Sequence, residues 1–183
     1  MQRPHWDYYL TLVEDLESLS RYIDFSEANA QTYSIELVRL LLSIGSEVDV
    51  VCKVVCSLSS TEKKAKNIDQ YRKVLIAQYP QLPNIAVSAP KHSLCFRPWE
   101  SWNNSINPVW WSAYNNVKHE RDSFYNQATL WNVLKAASGL CVVVGYLHRD
   151  WLEESAIRRP FLFFDSEYNA EPVFQIKPRL KLP

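Results

Sequence analysis

One short stretch of the chain, YNNVKHERD, carries the side chains best suited to acid–base chemistry. On one continuous helix, Asn115, His119 and Asp122 would share a face. Histidine suits proton transfer because its unperturbed pKa lies near neutrality. We predict a site for metal-independent RNA cleavage, with His119 as general acid or base and Asn115 as the group that positions the phosphate. Lys118 or Arg121 would stabilise the charge that builds on that phosphate.

The same stretch also has an ordinary structural interpretation. A histidine on a polar helix face can hydrogen-bond to a neighbouring helix, and Asn115 and Asp122 are typical residues of a solvated surface. A catalytic role has to be argued from the geometry of a site and not from residue types. The residues alone leave both interpretations of His119 open.

Glu47 is a second candidate, because it falls on the flank of the clearest helical pattern in the chain, about Gln31–Leu58. A half-buried carboxylate needs a partner. The structural interpretation is a hydrogen bond or ion pair with a neighbouring helix, and general experience favours it over a site carboxylate. The apolar positions of this helix form one stripe: Leu37, Leu40, Leu41, Ile44, Val48, Val51, Val55 and Leu58.

The chain resembles the HEPN superfamily in three stretches that follow in order: SIELVRLLLSIGSEVDVVCK, YNNVKHER and a long apolar helix over about Ala128–Leu147. HEPN domains are small helical domains of bacterial toxin–antitoxin, abortive-infection and CRISPR-linked proteins. Many are metal-independent ribonucleases that act as dimers with the site at the interface. The resemblance covers roughly Tyr33–Leu58 and Trp110–Leu147.

The HEPN motif consists of an arginine, a polar residue, a short spacer and a histidine. His119 fits the histidine and Asn115 fits the polar residue, whereas Tyr114 stands where the arginine of the four-residue-spacer form is expected. The nearest arginine, Arg121, points away from His119 on the helical wheel but could reach the site of a second copy. The family often adds an acidic residue on an earlier helix, and the resemblance gives that role to Glu47.

The resemblance implies a ribonuclease or RNA-binding protein of a bacterial stress or defence system of the toxin–antitoxin kind. It implies RNA as substrate, a homodimer as the assembly, and an antitoxin or other protein as a further kind of partner. The rival hypothesis is a non-catalytic helical protein-interaction module with a HEPN-like fold. A ribonuclease should expose His119 in a basic cleft, whereas an interaction module should bury His119 and expose an apolar patch near Phe161–Phe164.

Composition predicts one mainly all-α domain over residues 1–183, because 47% of the residues are hydrophobic and only 3 are glycine. We expect a bundle of four to six helices. A Pro-rich insertion at about 80–108 should hold a short hairpin, and an extended tail should follow at about 158–183. Lys+Arg and Asp+Glu are equal at 20 each, so any RNA contact needs a local basic patch.

Predicted elements follow from hydrophobic periodicity and helix-start signals. Helices are predicted at about Trp6–Ile23, Gln31–Leu58, Ser60–Tyr79, from Pro108 with Asn107 as cap, and Ala128–Leu147 behind an Asn126 cap. Ile85–Val87 and Ser93–Phe96 should pair as the hairpin. In the tail, Phe161–Phe164 and Val173–Ile176 should form short strands or a strap.

Several classes of function are excluded by missing patterns. No Gly-rich phosphate loop is present, and the four histidines and four cysteines show no metal-ligand spacing, so neither a metal nor a cofactor is expected. The cysteines should be reduced thiols, since three lie in apolar helical contexts. The start of the sequence lacks a signal-peptide core and the run Leu140–Leu147 is short for a bilayer. We therefore expect a cytoplasmic protein without a membrane partner.

Overall fold

The computed structural model describes residues 2–59, 65–154 and 163–164, and in this part the chain is mainly α-helical. Five helices of 11 to 25 residues form a bundle around one hydrophobic core. The predicted helical bundle with a short β-hairpin is therefore confirmed. The helices are α1 (Pro4–Leu19), α2 (Ile35–Ser59), α3 (Ile68–Gln78), α4 (Val109–His119), α5 (Arg121–Phe124), α6 (Leu130–Leu147) and α7 (Arg149–Glu154).

The central pair of the bundle is α2 and α6. The predicted apolar stripe of α2 is buried except at Leu58, which is 73% exposed. Most residues of α6 are buried on all sides, as expected for a helix that is apolar all round. The two helices begin at the same end of the bundle, because Leu130 N donates to Thr32 O (2.8 Å) and Tyr33 bridges to Thr129.

Two further helices, α1 and α4, run antiparallel to this pair. On α1, His5 contacts Glu47 whereas Asp15 binds Arg39, nearer the start of α2. On α4, Trp110 packs at Gly139, and a Cβ at that glycine would lie 2.8 Å from the indole ring. Further along α4, Asn116 hydrogen-bonds to a residue just before α6. The C-terminal end of α4 therefore lies where α2 and α6 begin.

The insertion contributes tryptophans to the core between α4 and α6. Trp99 packs against Trp102 with ring centroids 4.3 Å apart and meets Trp110 edge-on at 5.0 Å. The indole N–H of Trp99 donates to Gly139 O (3.2 Å), and that of Trp110 donates to Pro98 O (2.9 Å). Because both indoles are buried, these bonds satisfy donors that would otherwise be costly. The insertion is therefore part of the core.

The predicted hairpin is present, with strands β1 (Val87–Ala89) and β2 (Leu94–Phe96) paired antiparallel. The first strand begins two residues later than predicted, because Ile85 and Ala86 are buried outside the sheet. A third strand, β3 (Phe163–Phe164), pairs antiparallel with β1, so the order is β2-β1-β3. Part of the predicted Phe161–Phe164 segment is thus a strand, and Val173–Ile176 lies outside the described residues.

Several predicted helix boundaries were wrong, for reasons of capping. Residues 65–67 are not helical, and α3 begins after Asn67, whose side chain accepts from Gln70 N (3.1 Å). The predicted cap of α6 at Asn126 is replaced by Thr129, whose hydroxyl accepts from Asn132 N (3.2 Å). The start of α4 moves to Val109, because Asn107 accepts from Arg72 instead of capping.

Two more helix boundaries differ from the prediction. The predicted start of α2 at Gln31 moves to Ile35, because the preceding backbone binds the first residues of α6 through Ala30 O and Thr32 O. The predicted end of α1 at Ile23 moves to Leu19, because the chain forms a turn directly after that residue. By length and composition α6 could cross a membrane, but 78% of it is buried as a core helix would be.

Candidate functional site

The predicted polar face is interrupted after His119. The last residue of α4 is His119, and Glu120 adopts φ −138° and ψ 54°, outside the helical range. Asp122 belongs to the separate helix α5. The prediction that Asp122 continues the face of Asn115 and His119 was therefore wrong, whereas Asn115 and His119 remain one turn apart on α4.

His119 lies at an exposed end of α4, and so do its neighbours Lys118, Glu120, Arg121 and Asp122. None of the described residues hydrogen-bonds to the imidazole. Two cations and two carboxylates surround it in sequence, so this segment of a single chain carries balanced charge. The structure therefore places His119 in solvent, as a ribonuclease needs, without gathering a basic cleft from these residues alone.

Asn115 is half-buried one turn before His119. Its Nδ2 donates to Trp111 O at 2.9 Å, within the same helix. The amide is thus engaged by its own backbone in this conformation. A phosphate-binding role for Asn115 requires its side chain to exchange that bond for one to the ligand.

Tyr114, at the expected arginine position, is a packing residue. Its side chain is buried, and the ring lies directly against the backbone of α2 at Gly45, where an added Cβ would clash with it. Lys118 places its ammonium group 5.4 Å from the centre of the same ring. This distance fits a cation–π contact. Position 114 therefore holds α4 against α2 and orients Lys118.

Glu47 faces α1 and binds His5, with Nδ1 donating to Oε1 at 2.7 Å. The carboxylate belongs to a residue only 9% exposed, so this bond supplies the partner that a buried charge needs. The contact fits the structural interpretation of Glu47. The structure does not bring Glu47 into contact with Asn115, Lys118 or His119.

A small amide network, which sequence reasoning missed, holds the segment that follows His119. Asn116 Nδ2 donates to Gln127 Oε1 at 2.9 Å, and Asn132 Nδ2 donates to Gln127 O at 2.9 Å. Gln127 ends a 3-10 turn, Tyr125–Gln127, so that turn is tied to both α4 and α6. The sequence indicates this network only through the presence of Asn and Gln side chains next to otherwise apolar helices.

The other histidines are all engaged with protein. His5 binds Glu47, His92 packs against Phe25 with ring centroids 4.9 Å apart, and His148 lies edge-on to Trp6 at 6.5 Å. No three His, Cys, Asp or Glu side chains in the described ranges gather as a metal site. His119 thus differs from the other three in facing solvent without a ring or carboxylate partner among the described residues.

The buried cysteines are not activated as nucleophiles. None of the four forms a disulfide, and Cys52, Cys56 and Cys141 are buried. Burial raises the pKa of the Cys56 thiol to about 11 and that of Cys141 to about 12. A reactive cysteine needs the opposite shift, since the thiolate is the nucleophile.

Comparison with known proteins adds no relative: a scan against family models and searches of curated proteins and of solved structures gave no significant match. The resemblance to HEPN domains therefore rests on the motif residues and the order of helices.

Proposed function

We propose that this chain is a HEPN-like RNA-binding protein that cleaves RNA without a metal at the surface around His119. We place it in a bacterial stress or defence system of the toxin–antitoxin kind. The observation that carries the proposal is the exposure of His119 at the end of α4, flanked by the exposed cations Lys118 and Arg121.

The proposed reaction is an intramolecular transfer within the RNA strand that needs only proton transfer and charge stabilisation from the protein. The 2′-oxygen of a ribose attacks the adjacent phosphorus, the bond from phosphorus to the 5′-oxygen breaks, and a proton moves from the first oxygen to the second. One imidazole can remove or deliver that proton at neutral pH. Lys118 and Arg121 stabilise the charge on the phosphate, and Asn115 orients it from the same helix face.

A second copy of the chain completes the proposed site. One imidazole serves one of the two proton transfers, and the helix position of the motif arginine is taken by Tyr114. The segment from Lys118 to Asp122 exposes charges of both signs, so its cations can pair with the carboxylates of the same segment in a second copy across a two-fold axis. A homodimer formed there brings two His119 side chains and two Arg121 side chains to one RNA strand.

The experiment is RNA cleavage by the purified protein in EDTA, compared with His119→Ala. We expect the cleavage rate to fall at least about 100-fold, the usual contribution of a general acid or base. Ser112→Ala is the matched control, because Ser112 is exposed two turns earlier on the same face of α4. The control should cleave at the wild-type rate.

Two results would contradict this proposal. Cleavage that survives in His119→Ala at the wild-type rate would move the chemistry to another site or to a contaminant. The proposal would also be overturned if the wild-type protein neither cleaved nor bound RNA although a cooperative thermal transition showed that it was folded.

The second candidate is a non-catalytic protein-interaction module. It is favoured by two exposed apolar side chains beside the start of α4, Ile106 at 61% and Val109 at 74%. The side chains of the apolar patch expected at Phe161–Phe164 lie outside the part of the chain that the structure describes. A wild-type protein that neither binds nor cleaves RNA would favour the interaction module over the ribonuclease.

A further inference from the structure

Tyr33 is an exposed aromatic residue close to the end of the bundle that carries His119. The residue is 52% exposed, and its ring meets that of Tyr125 nearly perpendicularly, with centroids 5.9 Å apart. This edge-to-face geometry is a favoured arrangement of two aromatic rings. The contact holds the Tyr33 ring in place while about half of the residue remains in water.

The backbone around Tyr33 is also held. Tyr33 forms an isolated antiparallel bridge with Thr129, and its neighbour Thr32 accepts from Leu130 N at 2.8 Å. Ala30 O accepts from Trp131 N at 3.1 Å. Because both backbone and ring are positioned before any ligand arrives, binding on this ring loses little conformational entropy.

A short series of contacts connects Tyr33 with the face of His119. Tyr125, which supports the Tyr33 ring, begins the 3-10 turn that ends at Gln127. Gln127 accepts from Asn116 at 2.9 Å. Asn116 and His119 are three residues apart on α4, which places them on neighbouring turns of one face. Tyr33 and His119 therefore border the same end of the molecule, where α4 ends and α2 and α6 begin.

We propose that Tyr33 stacks on an unpaired base of an RNA strand whose phosphates lie along Lys118, His119 and Arg121. This inference rests on the proposed function and names the form of RNA that the site prefers. An exposed aromatic ring accepts the flat face of any base, and nearby cations hold the backbone. Bases inside an RNA duplex are stacked on each other, so the ring selects unpaired segments.

The neighbouring surface fits this occupant. Ile35 follows Tyr33 at the start of α2 and is also exposed, which widens the apolar surface available to a base or ribose. Lys118 and Arg121 offer partners to individual phosphates, which an apolar protein partner would not use, although Glu120 and Asp122 balance the net charge of this segment. A second protein copy seated on Tyr33 is the rival occupant, and a change of oligomeric state on substitution would reveal it.

The experiment measures binding of a fluorescein-labelled RNA oligonucleotide without stable secondary structure, and of the same strand in a duplex. All variants carry His119→Ala so that the RNA stays intact. We expect Tyr33→Leu to weaken single-strand binding about 5- to 150-fold, the range for one lost stacking contact. Duplex binding should be unchanged, and Tyr33→Phe should bind like the parent because phenylalanine also stacks.

Tyr8→Leu is the matched control, because Tyr8 is an exposed tyrosine on α1 near His5, toward the other end of the bundle. It should bind single strands like the parent. Thermal unfolding of each variant shows that it is folded, and light scattering reports its oligomeric state.

The outcomes separate this inference from the proposed function. Equal single-strand affinity of Tyr33→Leu and the parent, or equal losses on single strand and duplex, would overturn the role of Tyr33 and leave ribonuclease activity standing. A selective loss in a protein that shows no cleavage as wild type would support the stacking role and remove the catalytic step. A wild-type protein that neither binds nor cleaves RNA would overturn both.

Discussion

Tyr114 shows at the scale of one residue what occupies the position where the resemblance to HEPN domains would place an arginine. Its ring is buried against α2 at Gly45, between helices that carry much of the core. An arginine in that position would place a guanidinium group in an apolar space, at a cost of several kcal/mol unless it found a partner. The aromatic ring at position 114 is therefore tied to the packing of α2 on α4.

The close approach at Gly45 leads to a prediction about stability. Alanine normally stabilises a helix relative to glycine by about 0.5–1 kcal/mol. In Gly45→Ala the new methyl group meets the Tyr114 ring, so we expect the free energy of unfolding to fall by about 1–3 kcal/mol. Denaturant unfolding measures the change. Ser46→Ala, on the exposed neighbouring residue, is the control and should change little.

A double variant tests whether the Tyr114 ring is the cause. The double variant Gly45→Ala, Tyr114→Leu should lose less free energy of unfolding than the two single variants lose in sum. The smaller leucine side chain leaves room for the new methyl group. A rise in the free energy of unfolding of Gly45→Ala alone would show that the two helices do not approach this closely.

His148 leads to a prediction about pH at the opposite end of the bundle. Burial lowers its pKa, nearby Arg3 and His5 lower it further, and Asp7 opposes them. Because the pKa is lower in the folded than in the unfolded state, the unfolded state binds more protons between the two values. The free energy of unfolding should therefore fall as the pH drops below about 6.5.

His148→Phe keeps an aromatic ring beside Trp6 and Trp151 and removes the titration. We expect its free energy of unfolding to decline less than that of the wild type between pH 7 and about 5. Denaturant unfolding across that pH range measures the difference. Parallel curves for the two proteins would show that His148 does not contribute to the acid sensitivity.

At the scale of elements, hydrophobic periodicity was the reliable signal. The apolar stripe of α2 and the all-round apolar character of α6 predicted both helices, because the apolar residues that form these patterns are the ones that packing against other helices buries. For the candidate site, only the placement of Asn115 and His119 on one face was predicted correctly, because both lie within α4. The partner of Glu47 is 42 residues away in sequence, and no local pattern could identify His5.

The end of α4 at His119 was not predictable for a related reason. No glycine or proline stands there, and the helix pattern continues to Asp122. The break coincides with docking of the Tyr125–Gln127 turn against Asn116 and the start of α6. Such contacts join residues on three different elements, so local propensity carries no information about them.

The amide network at this turn predicts a local effect. Gln127→Ala removes the acceptor of Asn116 and should loosen α5, with amide hydrogens of residues 120–127 exchanging faster and a loss of stability of about 0.5–2 kcal/mol. Gln127→Glu keeps an acceptor oxygen and should restore slow exchange. Asn126→Ala, on an exposed neighbour, is the control. Unchanged exchange in Gln127→Ala would mean that the network does not hold the turn.

At the scale of the whole molecule, the two ends of the bundle differ in character. One end gathers the exposed His119, Tyr33 and the starts of α2 and α6. The other end gathers Trp6, Trp151 and the half-buried His148 in edge-to-face contacts. On the proposed function, we expect substitutions of the exposed His119 and Tyr33 at the first end to change RNA binding, and substitutions of Trp6 or Trp151 at the second end to change stability.

The pairing of α2 with α6 has a consequence for synthesis on the ribosome. The apolar stripe of α2 leaves the exit tunnel well before α6 has been translated, and α6 is its main covering element. The growing chain must therefore carry exposed apolar surface through the whole insertion, a period in which chaperone binding and misassociation compete with folding. Slow or interrupted translation before Leu130 should make this protein a client of nascent-chain chaperones.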